Sequence, residues 1–382
     1  MLLLAIANII SYDTFRVEIY AKKAFFHYRT CLGSGFVCQG DLVDLFLYPD
    51  VSPEPLQNIA LGAKRASLLF TAIEMDIFSG LCEDISAYEF ARRRGYNERN
   101  TEYLLNALVS LGLVSKKNSC FKNSPLSELY LVKGRELYMG EYLLFRERFT
   151  SFEGLSEYVR RGPDAEVVRE NRGSDIFDFA RLAELSVAEQ RAGRAKAVCE
   201  NIVRLFPEKG PDRILDLGGG SGMIALALAR HYPSCRCFLF ESPDVAVVAR
   251  KNIETYAKEP QGNRPEILAG DYLSDDIGTQ YDLIIAVASI QFAKRRFPVV
   301  IPRIRDALVP GGFFVSICGA TTCERTQPQP LILGWLGSHL RGLEVLPEAG
   351  EIRNEVTMYG FEVVDPLEYG ITIAMDVCRR KT

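Results

Sequence analysis

The sequence predicts an α/β protein in which a doubly wound, mostly parallel sheet follows a mostly α-helical N-terminal region. From residue 212 onward, short apolar runs alternate with helical stretches, which is typical of βαβ units around a buried sheet. Between Leu56 and Phe206, apolar residues recur at helical spacing. The 382 residues suggest two or three domains. The content of 48% hydrophobic and 25% charged residues is ordinary for a globular protein.

Charge and hydropathy exclude two classes of protein. The net charge is −4, and residues 1–150 carry equal numbers of basic and acidic side chains, so no basic region favours nucleic acid. We interpret Arg92–Arg94 as a solvated helix face. A transmembrane helix needs about 20 consecutive apolar residues, and the sequence contains no such run. Met1–Ile10 is apolar but short, and we expect a structured segment there rather than a signal peptide.

The cysteine pattern favours a reducing compartment. The ten cysteines show no disulfide-framework spacing, so we predict free thiols and a cytoplasmic protein. Cys235 and Cys237 form a close pair, but no second Cys/His pair lies nearby to complete a zinc site. With three histidines in the whole chain, no metal site is predicted.

After the proline-rich segment Tyr48–Pro55, the chain predicts three helices and a small hairpin. The first helix starts near Leu56. Ser86 and Glu89 match a capping box, in which each side chain bonds the other's amide, so a second helix runs from about Ala87 to Gly95. A third spans about Arg99–Leu111, with Gly112 as its stop. Two short strands follow around a polar turn, which completes the order of a winged helix.

Residues 126–206 are predicted to be mostly helical. Breaks fall at 161–164 and 171–173, and a long helix is predicted from about Asp178 to Phe206. The aromatic-rich stretch Tyr138–Phe152 is a candidate wall for a planar, apolar ligand, and plain interdomain packing explains it equally well.

The C-terminal part predicts seven strands, with the last one antiparallel. The strands are Arg213–Leu217, Arg236–Phe240, Pro265–Ala269, Tyr281–Val287, Gly312–Ile317, Phe361–Val364 and Thr372–Cys378. Helices are predicted over Ile224–His231, Val245–Tyr256 and Phe297–Leu308.

The strongest chemical signal is the glycine-rich stretch after the first of these strands. Gly218, Gly219, Gly220 and Gly222 let the backbone turn sharply and let a ligand approach the main chain. Asp216 precedes them in the strand. Glu241 ends the second strand, where an acidic residue binds ribose hydroxyls, and Asp271 follows the third. Carboxyl ends of parallel strands meet at one edge, so this set suits a cationic nucleoside such as S-adenosylmethionine.

Two alternatives remain for this motif. A glycine loop can be a structural turn alone. The stretch Gly220–Ala225 also fits a dinucleotide fingerprint for a nicotinamide or flavin, although those glycines normally follow the strand without an acid two residues before them.

The sequence resembles the class I S-adenosylmethionine-dependent O-methyltransferases that carry an N-terminal winged-helix dimerisation domain. That family includes plant phenolic, hydroxyindole and bacterial polyketide enzymes, and the resemblance covers about residues 55–382. The matching stretches are Leu69–Ala72, Ile77–Phe78, Glu102–Leu113, Asp216–Gly222, Gly270–Tyr272, Leu308–Gly312 and Tyr359–Phe361. The resemblance implies a Rossmann-like methyltransferase fold, S-adenosyl-L-methionine as cofactor, a small-molecule methyl acceptor and a homodimer.

Four segments follow from this resemblance. Residues 1–54 are an N-terminal extension of unknown role, and 55–125 are the winged-helix dimerisation domain. Residues 126–206 are a helical connector that forms a wall of the acceptor pocket. Residues 207–382 are the cofactor-binding methyltransferase domain.

The resemblance also implies site roles. The loop Gly218–Gly222 would lie against the methionine end of the cofactor. Glu241, where the family usually has Asp, would bind both ribose hydroxyls. Asp271 would meet the adenine amino group, and Tyr272 would pack on the adenine ring unless it is an ordinary core residue.

One departure concerns the catalytic base. After the fourth strand the family usually carries a Lys and, four residues on, a His that deprotonates the acceptor hydroxyl. Val287 and Gln291 stand at these positions here, and glutamine cannot accept a proton near neutral pH. We predict that His339 is a surface or packing residue rather than a relocated base. Glu344 falls near the family's auxiliary acid in a diverged stretch.

Two functions therefore stay open. The first is methyl transfer by positioning to an acceptor that ionises easily or is not oxygen, such as an aromatic or carboxylate-bearing metabolite. The second is cofactor binding without methyl transfer, in a divergent hydroxylase or decarboxylase or in a scaffold.

Overall fold

The computed structural model describes residues 51–257, 263–364 and 373–382. The expectations for residues 1–50, including a structured segment at Met1–Ile10, lie outside the described residues. The chain divides between Ala60 and Leu61, and the sheets, cores and site described below belong to the unit that begins at Leu61. Within the described residues, no helix combines the length and apolar character that crossing a bilayer requires.

The N-terminal region has the predicted order of helices and a hairpin. Its elements are α1 (Glu54–Glu74), a 3₁₀ turn (Phe78–Gly80), β1 (Ile85–Ser86), α2 (Ala87–Arg94), α3 (Glu98–Ser110), β2 (Val114–Lys117), β3 (Cys120–Asn123) and α4 (Pro125–Tyr130). The strands form an antiparallel sheet in the order β1-β3-β2. The two-residue strand β1 was not predicted, because it is too short to show a periodicity.

Half of the predicted capping box forms at the start of α2. The Ser86 hydroxyl accepts from the Glu89 amide at 3.1 Å. The Glu89 carboxylate instead pairs with Arg93, one turn later on the exposed face. The predicted reciprocal contact is therefore replaced by an i,i+4 ion pair. Gly95 ends the helix in the left-handed conformation, as predicted.

The middle of the chain is helical but more broken than predicted. Its elements are α5 (Gly140–Thr150), α6 (Leu155–Arg161), α7 (Ala165–Glu170), α8 (Phe179–Leu185), α9 (Val187–Glu189), a π-helical turn (Gln190–Arg194) and α10 (Ala195–Val203). The single helix predicted over Asp178–Phe206 is wrong. The π-helical turn interrupts it at Gly193, which has φ 154°.

The C-terminal region contains the predicted seven-stranded sheet. Its elements are β4 (Arg213–Leu217), α11 (Met223–His231), β5 (Arg236–Glu241), α12 (Pro243–Tyr256), β6 (Glu266–Ala269), β7 (Tyr281–Val287), a 3₁₀ helix (Ile290–Arg296), α13 (Phe297–Ala307), β8 (Leu308–Gly319), α14 (Gln329–Arg341), α15 (Glu351–Thr357), β9 (Phe361–Val364) and β10 (Ile373–Arg380). The strand order is β6-β5-β4-β7-β8-β10-β9, and β10 is antiparallel to both neighbours.

Alternation along the central strands covers the sheet on both faces. In β7, Leu283 and Ile285 belong to the core on one face, and Ile284 and Ala286 to the core on the other. Such two-sided burial is what a doubly wound parallel sheet requires. The chain runs outward from β4 through β5 and then returns to β7 on the other side of β4. This reversal opens a crevice at the carboxyl ends of the strands, where ligands bind in such folds.

Candidate functional site

The glycine-rich loop turns out of β4 with three residues at positive φ. Gly218, Gly220 and Gly222 have φ values of 72°, 55° and 81°. The Gly218 amide donates to the Phe240 carbonyl of the neighbouring strand at 2.8 Å. A Cβ added at Gly218 would lie 2.5 Å from the Ser289 Cβ. The loop therefore needs glycine both for its dihedral angles and for close packing.

Asp216 lies beneath this loop and is fully buried. Neither carboxylate oxygen has a hydrogen-bond partner among the described residues. Burial, and secondarily the charge of Glu241, raises the pKa of Asp216 to about 7, although the nearby Ala225 amide acts in the opposite direction. A Cβ added at Gly219 would lie 2.7 Å from the Asp216 Oδ2, so the loop rests directly on the acid. A buried acid without a partner suits a cationic ligand nearby.

Glu241 stands at the end of β5, next to the loop. Its Oε2 accepts from the Ser242 amide at 2.6 Å. Burial raises the pKa of its carboxyl above the usual range. The Gly270 amide donates to the Glu241 carbonyl at 2.9 Å, which holds the end of β5 beside the turn after β6.

That turn presents Asp271 and Tyr272. The Asp271 Oδ2 pairs with the Arg172 Nη2 at 2.8 Å, and its Oδ1 accepts from the Leu273 amide at 3.0 Å. The Tyr272 hydroxyl lies 3.5 Å from the Ser289 carbonyl oxygen, and its ring packs against the core beneath the sheet. Both interpretations of Tyr272, ligand contact and core packing, agree with this position.

A cavity of about 950 Å³ brings most of the predicted residues together. Seven of the eight predicted cofactor-binding residues line it, namely Asp216, Gly218, Gly219, Gly220, Glu241, Asp271 and Tyr272. Gly222 is outside its lining. A Cβ at Gly222 would contact the Ile253 side chain instead, so glycine is needed here for the turn of the backbone into α11.

Gln291 lines the same cavity. It lies in the 3₁₀ helix that follows β7 and is 5% exposed. Its Oε1 has no hydrogen-bond partner among the described residues. Nearby, Ala288 holds φ 54°, a conformation that costs a residue with a Cβ and is typical of functional sites.

An aromatic wall in the cavity was not predicted from the sequence. It consists of Phe177, Phe179, Phe292 and Trp335, which all line the cavity. The ring centroids of Phe179 and Phe292 lie 5.1 Å apart, and those of Phe177 and Trp335 lie 5.8 Å apart. Edge-to-face packing of this kind makes a rigid apolar surface for a planar ligand.

The predicted wall at Tyr138–Phe152 contributes in part. Tyr142, Phe145, Arg146 and Thr150 of α5 line the cavity. Glu189 and Arg194 also line the cavity and were not predicted from the sequence. The Arg194 Nε lies 3.0 Å from the Glu189 Oε1, and burial raises the pKa of Glu189 in spite of this partner.

Neither His339, the alternative to a base at position 291, nor Glu344, which falls near the family's auxiliary acid, reaches the cavity. The His339 ring stacks on Trp335 with centroids 6.4 Å apart, and burial lowers the pKa of this imidazole. The Glu344 carboxylate pairs with Arg295 at 3.0 Å. Neither residue belongs to the cavity lining. His339 is thus a packing residue, as predicted.

The raised pKa of Asp216 predicts how stability depends on pH. Its pKa is about 7 in the folded protein and 3.8 in the unfolded chain, so the folded state binds more protons between these values. Stability of the ligand-free protein therefore falls as pH rises from about 4 to 7. We expect Asp216→Asn to be about 2–4 kcal/mol more stable than the parent at pH 8 and equally stable near pH 4. Urea unfolding at pH 4.5, 6 and 8 measures this, and a gain independent of pH would contradict it.

Comparisons with known proteins identify the family. The O-methyltransferase domain family matches residues 153–330, and the O-methyltransferase dimerisation domain matches residues 57–133. The chain is 29% identical over 280 residues to acetylserotonin O-methyltransferase of Mus musculus, covering 67% of this chain and 70% of that enzyme. It is 26% identical over 273 residues to 3-hydroxy-5-methyl-1-naphthoate 3-O-methyltransferase of Streptomyces sahachiroi, covering 68% and 75%.

Solved structures share the fold. Human N-acetylserotonin methyltransferase in complex with SAM superposes with a TM-score of 0.69 at 20% identity, over 88% of this chain and all of that one. An O-methyltransferase family protein from Burkholderia thailandensis gives a TM-score of 0.71 at 20% identity, over 87% of this chain and 99% of that one. These comparisons confirm the predicted fold class and enzyme class, and they support the predicted cofactor. The chain belongs to the O-methyltransferase family, as a class I methyltransferase that carries the family's N-terminal dimerisation domain.

Proposed function

We propose that this protein transfers a methyl group from S-adenosyl-L-methionine to a small aromatic or carboxylate-bearing metabolite, by positioning rather than by histidine general-base catalysis. The observation that carries the proposal is the composition of the cavity lining. It combines bare main chain and three acids with an aromatic wall and Gln291.

The main chain and the acids of the lining fit a sulfonium nucleoside. The glycine loop, which leads into α11, leaves main-chain amides accessible to a ligand. These amides lie beside Asp216, whose carboxylate oxygens have no hydrogen-bond partner among the described residues. Glu241 would accept from the ribose hydroxyls, and Asp271 with Tyr272 would hold the adenine. When bound, the cofactor supplies a methyl carbon that is open to in-line attack. The chain's part is to orient the two reactants and exclude water.

The aromatic wall and Gln291 fit a planar acceptor. The aromatic wall offers apolar surface, and Gln291 offers an amide that can hydrogen-bond an acceptor without taking its proton. An acceptor that is already anionic needs no base, and a carboxylate or an acidic phenol meets that condition. Orientation alone can lower a barrier by about 7–11 kcal/mol, so a positioning mechanism is sufficient for such nucleophiles.

Incubation with methyl-labelled S-adenosylmethionine and paired aromatic acceptors tests the proposal. Each pair has the same ring, once with a carboxylate or an acidic hydroxyl and once with an ordinary phenol. We expect label in the first member of each pair and little in the second. Tight S-adenosylhomocysteine binding with no labelled product from any acceptor would favour the second candidate, cofactor binding without transfer, which the missing base at Gln291 suggests.

Alanine substitutions at two glycines distinguish the effect of blocked main-chain access on ligand binding from the effect of backbone strain. A Cβ at Gly220 or at Gly112 meets no described atom within 4 Å, and both residues have positive φ, 55° and 70°. Alanine at either site therefore costs similar strain, about 1–2 kcal/mol. Since only Gly220 lines the cavity, we expect Gly220→Ala to weaken S-adenosylhomocysteine binding more than ten-fold and Gly112→Ala to leave it unchanged. Calorimetry measures both, and equal affinities would contradict the proposed loop role.

The match to the dimerisation domain supports a homodimer, and we propose that residues 55–125 form its interface. The boundaries predicted for the four segments, including a connector over 126–206, stay proposals. Light scattering after gel filtration gives the mass that decides the oligomeric state.

A further inference from the structure

A short segment between α7 and α8 contributes residues to the cavity lining beside Asp271, and its first residue is firmly anchored. The buried Asn171 side chain accepts from the Glu344 amide at 2.8 Å and donates to the Glu344 carbonyl at 3.2 Å. Asn171 has φ 49°, a conformation that asparagine tolerates better than most residues. The side chain thus pairs with both main-chain groups of one residue.

The third residue of the segment is fixed from the other side. Gly173 has φ 80°, and a Cβ there would lie 2.8 Å from the Phe292 ring and 3.2 Å from the Phe179 ring. The segment is therefore held between the Glu344 main chain and the aromatic wall. Arg172, between the two fixed residues, reaches into the cavity lining.

Arg172 completes the set of partners around Asp271. The guanidinium pairs with Oδ2 at 2.8 Å, and the Leu273 amide occupies one position on Oδ1 at 3.0 Å. A carboxylate oxygen can accept two hydrogen bonds, so both oxygens keep capacity for a ligand donor. The two contacts fix the plane of the carboxylate and leave it able to accept further hydrogen bonds.

Structural stabilisation is the competing explanation for this ion pair. The side chains are 39% and 34% exposed, and ion pairs this exposed add little to folding stability. Both residues also line the cavity, which a purely structural pair does not require. The position of the pair therefore favours a role in ligand recognition.

We propose that Arg172 is a positioning residue that sets purine specificity, by orienting the Asp271 carboxylate toward the 6-amino group of the cofactor's adenine. This inference rests on the proposed cofactor site. A purine with a 6-oxo group presents an acceptor to the same carboxylate, and two acceptors facing each other repel. A fixed carboxylate therefore discriminates between the two purines more sharply than a mobile one.

Calorimetry on the full chain with S-adenosylhomocysteine and S-inosylhomocysteine tests this inference. We expect the parent protein to prefer the adenine ligand at least ten-fold. Arg172→Ala should weaken S-adenosylhomocysteine about ten-fold and S-inosylhomocysteine less than two-fold, so that the preference is lost. Arg172→Lys should recover part of it, because a lysine ammonium keeps the charge but not the planar fork.

Arg181→Ala is the matched control. Arg181 is also 39% exposed and pairs with Glu141 at 2.6 Å, but it lies outside the cavity lining. It should leave both affinities unchanged. In a double variant with Asp271→Asn, the Arg172→Ala change should add little to the loss of affinity that Asp271→Asn causes, since Arg172 acts through that carboxylate.

Two results would overturn the inference while leaving the proposed function intact. One is an Arg172→Ala variant whose affinities for both ligands equal those of the parent, and the other is an equal loss of affinity for both ligands, which indicates a structural role. In either case the preference for the adenine ligand is unchanged. A parent protein that binds neither ligand would overturn the proposed function and this inference together.

Discussion

Glu241→Ala is expected to weaken S-adenosylhomocysteine binding by about 10²–10⁴-fold. The half-buried carboxylate would accept hydrogen bonds from two ribose hydroxyls, and each hydrogen bond to a charged group contributes about 1.5–3 kcal/mol. Burial raises the pKa of Glu241, and its charge also raises that of Asp216. Removing it relieves that repulsion, so the ligand-free variant should be no less stable than the parent at pH 8.

Two further variants make the Glu241 result specific. Glu241→Asp supplies the residue usual in the family and should keep the affinity within several-fold. Asp244→Ala removes a neighbouring acid that also lines the cavity but is exposed, and it should change the affinity little. Calorimetry and thermal unfolding on all four proteins separate the outcomes. A large loss in Asp244→Ala would show that the field of the acids, not hydrogen bonding by Glu241, controls binding.

The sequence predicted the sheet well because its central strands are buried on both faces. Such strands read as largely apolar runs between polar segments, and two of them, Arg213–Leu217 and Tyr281–Val287, have the bounds predicted. The edge strand Phe361–Val364 also has the bounds predicted, although Glu362 and Val363 are exposed. The residues at the strand ends were predictable for the same reason, since parallel strands end at one edge.

The sequence could not predict features that depend on tertiary contacts. The π-helical turn at Gln190–Arg194 keeps the apolar spacing of a helix, and Gly193 is the single residue in the sequence that indicates a break there. The turn is stabilised by a distant contact, in which the Ser221 hydroxyl donates to the Gln190 side chain at 2.8 Å. Four rings from three separate segments form the aromatic wall, and no local pattern relates them. The Arg172–Asp271 pair joins two loops in the same way.

Gln291→His is expected to raise methylation of ordinary phenols by about 10²–10⁴-fold, the usual contribution of a positioned general base. Gln291 is buried in the cavity lining and its Oε1 has no described partner, so the exchange breaks no described hydrogen bond of that oxygen. Burial lowers the pKa of an imidazole below about 6.5, so it is neutral and able to accept a proton at pH 7. The rate should therefore rise with pH through that pKa and then level off.

Gln291→Leu is the control for this gain, because it fills a similar volume without a proton acceptor. This variant should leave phenols unreactive. If Gln291 orients the acceptors that the parent methylates, it should also slow the methylation of those acceptors. Labelled-methyl assays across pH 5 to 8.5, with S-adenosylhomocysteine affinity measured in parallel, decide between the outcomes. Unchanged cofactor affinity without any phenol methylation in Gln291→His would place the acceptor oxygen away from residue 291. The absence of the family's base would then reflect a different acceptor position, and not only a more nucleophilic acceptor.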